Sequence, residues 1–123
     1  EEMRFAALLP KGSLHNPEAV NARTALRMAT INGAKALGIH HLTGSLEVGK
    51  RADLIVIHAD ASNMLPIYDV YSAIVYASNS KNIRSSMVNG KWIMRNRELM
   101  NINKTETMES MKHIVNSQID NRK

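Results

Sequence analysis

Five histidines and eleven carboxylates carry most of the metal-binding and acid–base potential of this 123-residue sequence, which has no cysteine. Thiolate metal sites and disulfides are therefore excluded. His40 and His41 are adjacent. On a helix or strand they would point apart, so only a loop could gather both onto one ion. His58 and Asp60 have i, i+2 spacing, which on a strand puts both on one face. A metal there would still need further ligands and an open position. Glu47 and Asp53 can be read as a carboxylate pair for proton transfer, or as two separate turn residues. His15 precedes Asn16, and His113 lies near the C-terminus; both read as solvated. In each case the surface or turn role is the better account, so spacing assigns no catalytic, cofactor-binding or metal residue.

Charge gives a second candidate. The formal net charge is +5 and the sequence pI about 9.8. Lys81, Arg84, Lys91, Arg95 and Arg97 crowd one stretch, offset only by Glu98. A nucleic-acid hairpin would use such a cluster, but single-strand binders present several stacking rings, and this stretch has only Trp92. A sheet edge kept apart from other edges by charge is the favoured reading, and nucleic acid is not expected as a partner.

The elements that must position these residues fall into four zones. Residues 2–9 form a short apolar helix, expected to stop at Pro10 and Gly12. Asn16-Pro17-Glu18 has the chemistry of a helix start, with a capping Asn, Pro in the first turn and an acid near the positive dipole end. Val20, Ala22, Ala25, Leu26, Met28 and Ala29 give that helix an apolar side. Thr30 can cap a second helix over 31–37, ended by Gly38. The small alanines point to close packing on another element, expected to be a sheet.

The third zone, 44–101, reads as strands. Leu46 and Val48 alternate with polar residues, and Gly49-Lys50 makes a turn. Leu54-Ile55-Val56-Ile57 is a continuous apolar run, expected to be a strand buried on both faces. Residues 72–77 are a further strand candidate. Asn89-Gly90 between 83–88 and 91–95 is the strongest hairpin signal, because both residues tolerate positive φ. The fourth zone, 105–119, is an amphipathic helix through Met108, Met111, Ile114, Val115 and Ile119. Packing on its own domain is expected of it, ahead of docking in a partner's groove. No apolar run approaches the ~18 residues of a membrane span, no signal-peptide pattern opens the chain, and a cytoplasmic location is expected.

The order of segments then resembles a known family. The run from Ala29 through Asn32-Gly33-Ala34-Lys35-Ala36-Leu37-Gly38 is followed by Gly44-Ser45-Leu46-Glu47-Val48-Gly49-Lys50-Arg51-Ala52-Asp53-Leu54. This resembles the C-terminal signature of the amidohydrolase superfamily, in the group of methylthioadenosine/S-adenosylhomocysteine deaminases, guanine deaminases and chlorohydrolases. Glu2-Met3-Arg4-Phe5-Ala6-Ala7-Leu8-Leu9 is similar to the helix after the last catalytic strand of that group. Tyr76-Ala77 resembles one of its strands, and Val88-Asn89-Gly90-Lys91 the hairpin that closes its small domain. The likeness covers residues 1–100.

The resemblance implies an α+β fold: terminal helices of a metal-dependent-hydrolase barrel, then the C-terminal part of a small β-sandwich, then a terminal helix. The expected division is 1–43 for barrel helices, 44–103 for the β-rich part and 104–123 for the last helix. It also implies a full-length parent that hydrolyses non-peptide C–N bonds, as a deaminase of an adenine-type amino-heterocycle or as a chlorohydrolase, with zinc or iron activating water. The family's His-x-His pair, two later His and one Asp hold that metal; none of those motifs occurs here, and the Asp belongs just upstream of the helix that Glu2 begins. No ligand or catalytic residue is carried over, and this portion is expected to be inactive alone. The expected partners are the missing N-terminal barrel, a small-molecule substrate of the parent, and a second copy in a homo-oligomer. The alternative is a free-standing basic module that binds nucleic acid or protein.

Overall fold

The computed structural model describes residues 1–120. A helix, α1 (Glu2–Ser13), opens the chain. Its acidic first turn and Lys11 in the last turn complement the helix dipole. It does not stop at Pro10. The proline ring fixes a helical φ, and the helix bears both the missing N–H bond and the crowding of the ring against the carbonyl one turn back. The carbonyls of Pro10, Lys11 and Gly12 are then satisfied by Leu14, Asn16 and His15 at 3.0–3.3 Å. His15, at φ 49°, turns the chain out.

Asn16 does not start the next helix. Its Oδ1 accepts from Glu18 N at 2.9 Å, a local turn. Asn21 is the cap instead, accepting from Thr24 N at 2.9 Å, and α2 spans Ala22–Arg27. The two asparagines compete for one role, and the one whose oxygen reaches the third helical N–H wins. Thr30 is a kink rather than a cap. It has φ −127° and ψ −107°, and its hydroxyl donates back to Leu26 O at 2.8 Å. A π-helical stretch, Met28–Asn32, carries the chain past it into α3 (Gly33–Ala36). Gly38, at φ 71°, ends α3 as expected: Gly38 N donates to Lys35 O and Ile39 N to Ala34 O.

The strand expected over 72–77 is helical. Asp69 accepts from Ser72 N at 2.7 Å and caps α4 (Val70–Ser72), which continues as a π-helical stretch, Ala73–Ala77. A local cap has outweighed the β preference of Ile74, Val75 and Tyr76. This stretch, not a sheet, covers the alanine helices. Ala7, Ala22, Ala25 and Val75 form the buried centre, flanked by Met3, Val20, Leu26 and Tyr76. Alanine at three of those four positions lets helix backbones approach closely.

The sheet is antiparallel in the order β1 (Leu54–Ile57), β2 (Ile83–Val88), β3 (Lys91–Arg95) and β4 (Glu98–Leu99). The β2–β3 hairpin has the expected bounds, with Asn89 at φ 48° and Gly90 at φ 76°. A second two-residue turn, Asn96-Arg97, repeats that backbone between β3 and β4. Leu46 and Val48 are not in a strand; they lie exposed in the turn region before β1. Nor is β1 buried on both faces: Ile55 is 55% and Val56 38% exposed. It is an edge strand, paired only with β2. The last helix, α5 (Lys104–Asp120), forms where expected but does not pack on the rest. Met108, Met111, Ile114, Val115 and Ile119 are each about half exposed.

One glycine is needed where helix meets loop. Gly44 has φ +94°, and a Cβ there would sit 2.7 Å from Ala34 Cβ and 3.0 Å from Ile31 Cα. Gly44→Ala is expected to cost about 2–4 kcal/mol in urea unfolding, combining backbone strain and overpacking. Gly38→Ala, with open space around it, is expected to cost only about 1 kcal/mol. Equal losses would contradict this packing.

Candidate functional site

The Gly44–Leu54 run is the most distinctive part of the sequence, and its geometry is that of a joint. Ser45 Oγ and Lys50 Nζ both donate to Glu47 Oε1, at 2.5 and 3.1 Å. Lys50 also reaches Ser45 Oγ at 2.6 Å. The Ser45 hydroxyl first, and then Lys50, hold Glu47 below the usual carboxylate range. Asp53 works over a longer distance. Its Oδ1 accepts from Asn89 N at 2.6 Å and its Oδ2 from Thr43 Oγ1 at 2.8 Å. The Asn89 N–H, then the Thr43 hydroxyl, keep Asp53 ionised below its ordinary pKa. Arg51 N to Leu42 O (2.8 Å) and Gly90 N to Ala52 O (3.1 Å) run alongside. Asp53 therefore fastens the loop after α3 to the β2–β3 turn. Glu47 and Asp53 share no hydrogen bond, and each is engaged by its own donors, so they do not form an acid–base pair.

The histidines lie apart. His40 and His41 sit in the turn after α3, edge to face with ring centres 6.0 Å apart, and both are exposed. His58 is exposed just past β1, His15 is in the turn after α1, and His113 is on α5. Among the described residues no three His, Asp or Glu side chains gather closely enough to hold a metal ion. These residues do not fit a zinc centre.

A polar cluster that sequence reasoning did not single out is built on Asn82, which is buried. Its Oδ1 accepts from Asn63 Nδ2 and Asn79 N, both at 2.9 Å, and its Nδ2 donates to Asn63 Oδ1 at 3.2 Å. Asn63 also donates to Ala77 O at 2.8 Å. The pair ties the 61–65 loop to the end of the helical layer and the start of β2. The Asn79–Asn82 spacing, a capping box, was the available signal. The basic cluster is divided. Lys81, Arg84 and Arg97 line an open depression with His58 and Asn96. Arg95 instead lies 5.8 Å over the Trp92 ring, covering the one aromatic face the hairpin offers.

With this geometry in hand, the likeness to known proteins is specific. Residues 1–93 match the amidohydrolase family, and the chain belongs to that family. It is 40% identical over 114 residues to 5-methylthioadenosine/S-adenosylhomocysteine deaminase of Acetivibrio thermocellus, covering 93% of this chain and 26% of that protein. It is 42% identical over 109 residues to 5'-deoxyadenosine deaminase of Methanosarcina barkeri, covering 89% of this chain and 25% of that one. A zinc-bound adenosine deaminase from Xanthomonas campestris superposes with a TM-score of 0.86 at 34% identity, over 91% of this chain and 26% of that one. A zinc complex of atrazine chlorohydrolase from Arthrobacter aurescens superposes at 0.79 with 26% identity, over 92% and 25%. The chain thus spans about a quarter of the length of the relatives it matches.

The Asp53 clasp is testable through pH. A carboxylate with a lowered folded-state pKa adds stability above its unfolded pKa, and this is lost as pH falls through the folded value. Asp53→Asn is expected to lower the urea midpoint at pH 7. The gap to wild type is expected to shrink once the pH drops below about 4, the ordinary carboxylate range. A gap that stays constant or widens in acid would contradict the clasp.

Proposed function

We propose that this chain is the C-terminal quarter of a metal-dependent hydrolase that removes an amino group from an adenine-type heterocycle, releasing ammonia. The observation that carries the reading is the zinc-bound adenosine deaminase, which this chain follows in fold and sequence over 91% of its own length. The curated relatives, named as deaminases of methylthioadenosine, S-adenosylhomocysteine and 5'-deoxyadenosine, narrow the substrate class. The chlorohydrolase neighbour keeps a related leaving-group chemistry as the nearest alternative within the family.

In this reading residues 1–43 are barrel helices, 44–103 form part of a β-sandwich and the terminal helix follows, the expected residues 121–123 of that last unit lying outside the described ones. The metal, zinc or iron, belongs to residues outside this chain, and the chain alone does no hydrolysis. Its role is mechanical: it braces the end of the barrel through the Asp53 joint. The exposed faces support this. Phe5, Leu8 and Leu9 on α1 are about half or more exposed, and so are Leu37 beyond α3 and Ile55 on β1. Among the described residues no large side chain is fully buried. Full burial of a wholly exposed side chain of this kind is worth about 1.5–3 kcal/mol, and these half-exposed ones would gain roughly half of that each, so a covering layer is favoured. The parent is also proposed to be a homo-oligomer. No helix among the described residues is long and apolar enough to cross a membrane.

Ammonia release from methylthioadenosine, adenosine and 5'-deoxyadenosine tests the activity. The parent protein is expected to turn over at least one of them, and the 123-residue chain none. A parent inactive on every amino-heterocycle with metal supplied would overturn the reading. By light scattering, the isolated chain is expected as a dimer or larger particle that binds an apolar dye; a dye-silent monomer would contradict the exposed faces.

A further inference from the structure

The depression lined by His58, Lys81, Arg84, Asn96 and Arg97 belongs to no part of the hydrolytic reading. We propose that it is a binding site for a phosphate group. It has about 310 Å³ of space, ample for a phosphate with attendant waters. Three permanent cations line it and no carboxylate does; Asp60 and Glu98, the nearest acids in sequence, are not in its wall. The Lys50–Glu47 contact is the one ion pair among the described residues, so none of these three cations is neutralised by a neighbour.

The guanidinium groups are held in place, unlike ordinary surface arginines. Arg97 NH1 donates to the carbonyls of Ser80, Lys81 and Ile83 at 3.2, 3.2 and 2.9 Å. Arg84 Nε donates to Asn96 Oδ1 at 2.9 Å. Arg97 N donates to Arg84 O at 2.8 Å and His58 N to Asn82 O at 2.7 Å, which locks the walls together. The remaining nitrogens of both forks are left for a ligand. Fixing them beforehand removes much of the ordering cost of binding.

The two hairpin turns sharpen the contrast. Both have positive φ at both central residues. The first uses Asn89-Gly90, the favoured pair, whereas the second places Arg97 at φ 70°, where glycine is the unstrained choice. A long side chain in the left-handed region is strained, and such outliers cluster at ligand clamps. Two guanidinium forks and an ammonium around one depression carry charge enough for a phosphate dianion, where a monoanionic carboxylate would leave more of it unmatched.

The test uses the intact protein with inorganic phosphate and, separately, glycerol 3-phosphate, at constant ionic strength against chloride. Both the 31P linewidth and the melting temperature are read. Wild type is expected to broaden the phosphorus signal and to melt higher with phosphate. Lys81→Ala and Arg84→Gln are each expected to weaken binding by at least about tenfold. Lys81 makes no side-chain hydrogen bond, so its variant leaves the fold intact. Equal affinity for both probes would identify the free ion as sufficient ligand; tighter binding of the ester would identify a phosphomonoester. Either supports the site. No broadening by wild type, or broadening unchanged in both variants, overturns it. So does binding only to single-stranded DNA at low salt, which would mark a general polyanion surface.

Discussion

Asp53 is the residue on which the two halves of this chain depend. One oxygen holds Thr43, just beyond the last of the alanine-rich helices, and the other holds Asn89, at the tip of the central hairpin. These contacts are 10 and 36 residues away in sequence. Backbone bonds from Arg51 to Leu42 and from Gly90 to Ala52 make the joint double. The run around Asp53 therefore has a structural logic: Gly44 lets the chain pass under Ala34, the Ser45–Glu47–Lys50 triangle closes a turn, and the carboxylate then locks helices to sheet. A partly exposed aspartate with backbone and hydroxyl donors stays ionised without any catalytic purpose. A distinctive motif in an enzyme family can thus be wholly architectural.

Much of this architecture was legible in the residues. Asn89-Gly90 fixed a hairpin because no other backbone suits that pair so well, and Gly38 marked a helix end because its left-handed φ completes the terminal hydrogen bonds. The 3-4-4 apolar spacing identified α5. The failures also have physical causes. Asn16 and Asn21 offer the same capping oxygen, and only three-dimensional reach distinguishes them. Ile74-Val75-Tyr76 prefer strands, but the Asp69 cap and the demand of Ala7, Ala22 and Ala25 for a covering layer make them helical. Burial of β1 was read from composition alone, yet burial depends on what lies across the sheet. No window of sequence contains that information. The Asn63–Asn82 pair joins residues 19 apart and is invisible to local patterning for the same reason.

The same distinction governs function. Family membership rests on ordered short motifs and on a fold that superposes closely with zinc-bound hydrolases. The chemistry of such a centre needs several ligands converging on one point, and the histidines here are dispersed over turns and α5. Exposed leucines on α1 and isoleucine and valine on β1 are the complementary observation: apolar surface that the proposed reading assigns to a neighbour. A chain that carries the support and not the reaction centre accounts for both observations.

The most direct measurement is the intact mass of the native gene product in its source cells. A protein about four times the 13.7 kDa of this chain is the expected result, in keeping with the quarter-length match to its relatives. A native product of 13.7 kDa would contradict the account, because a chain of that size would have to do its work without the barrel that these helices and this sheet are proposed to brace.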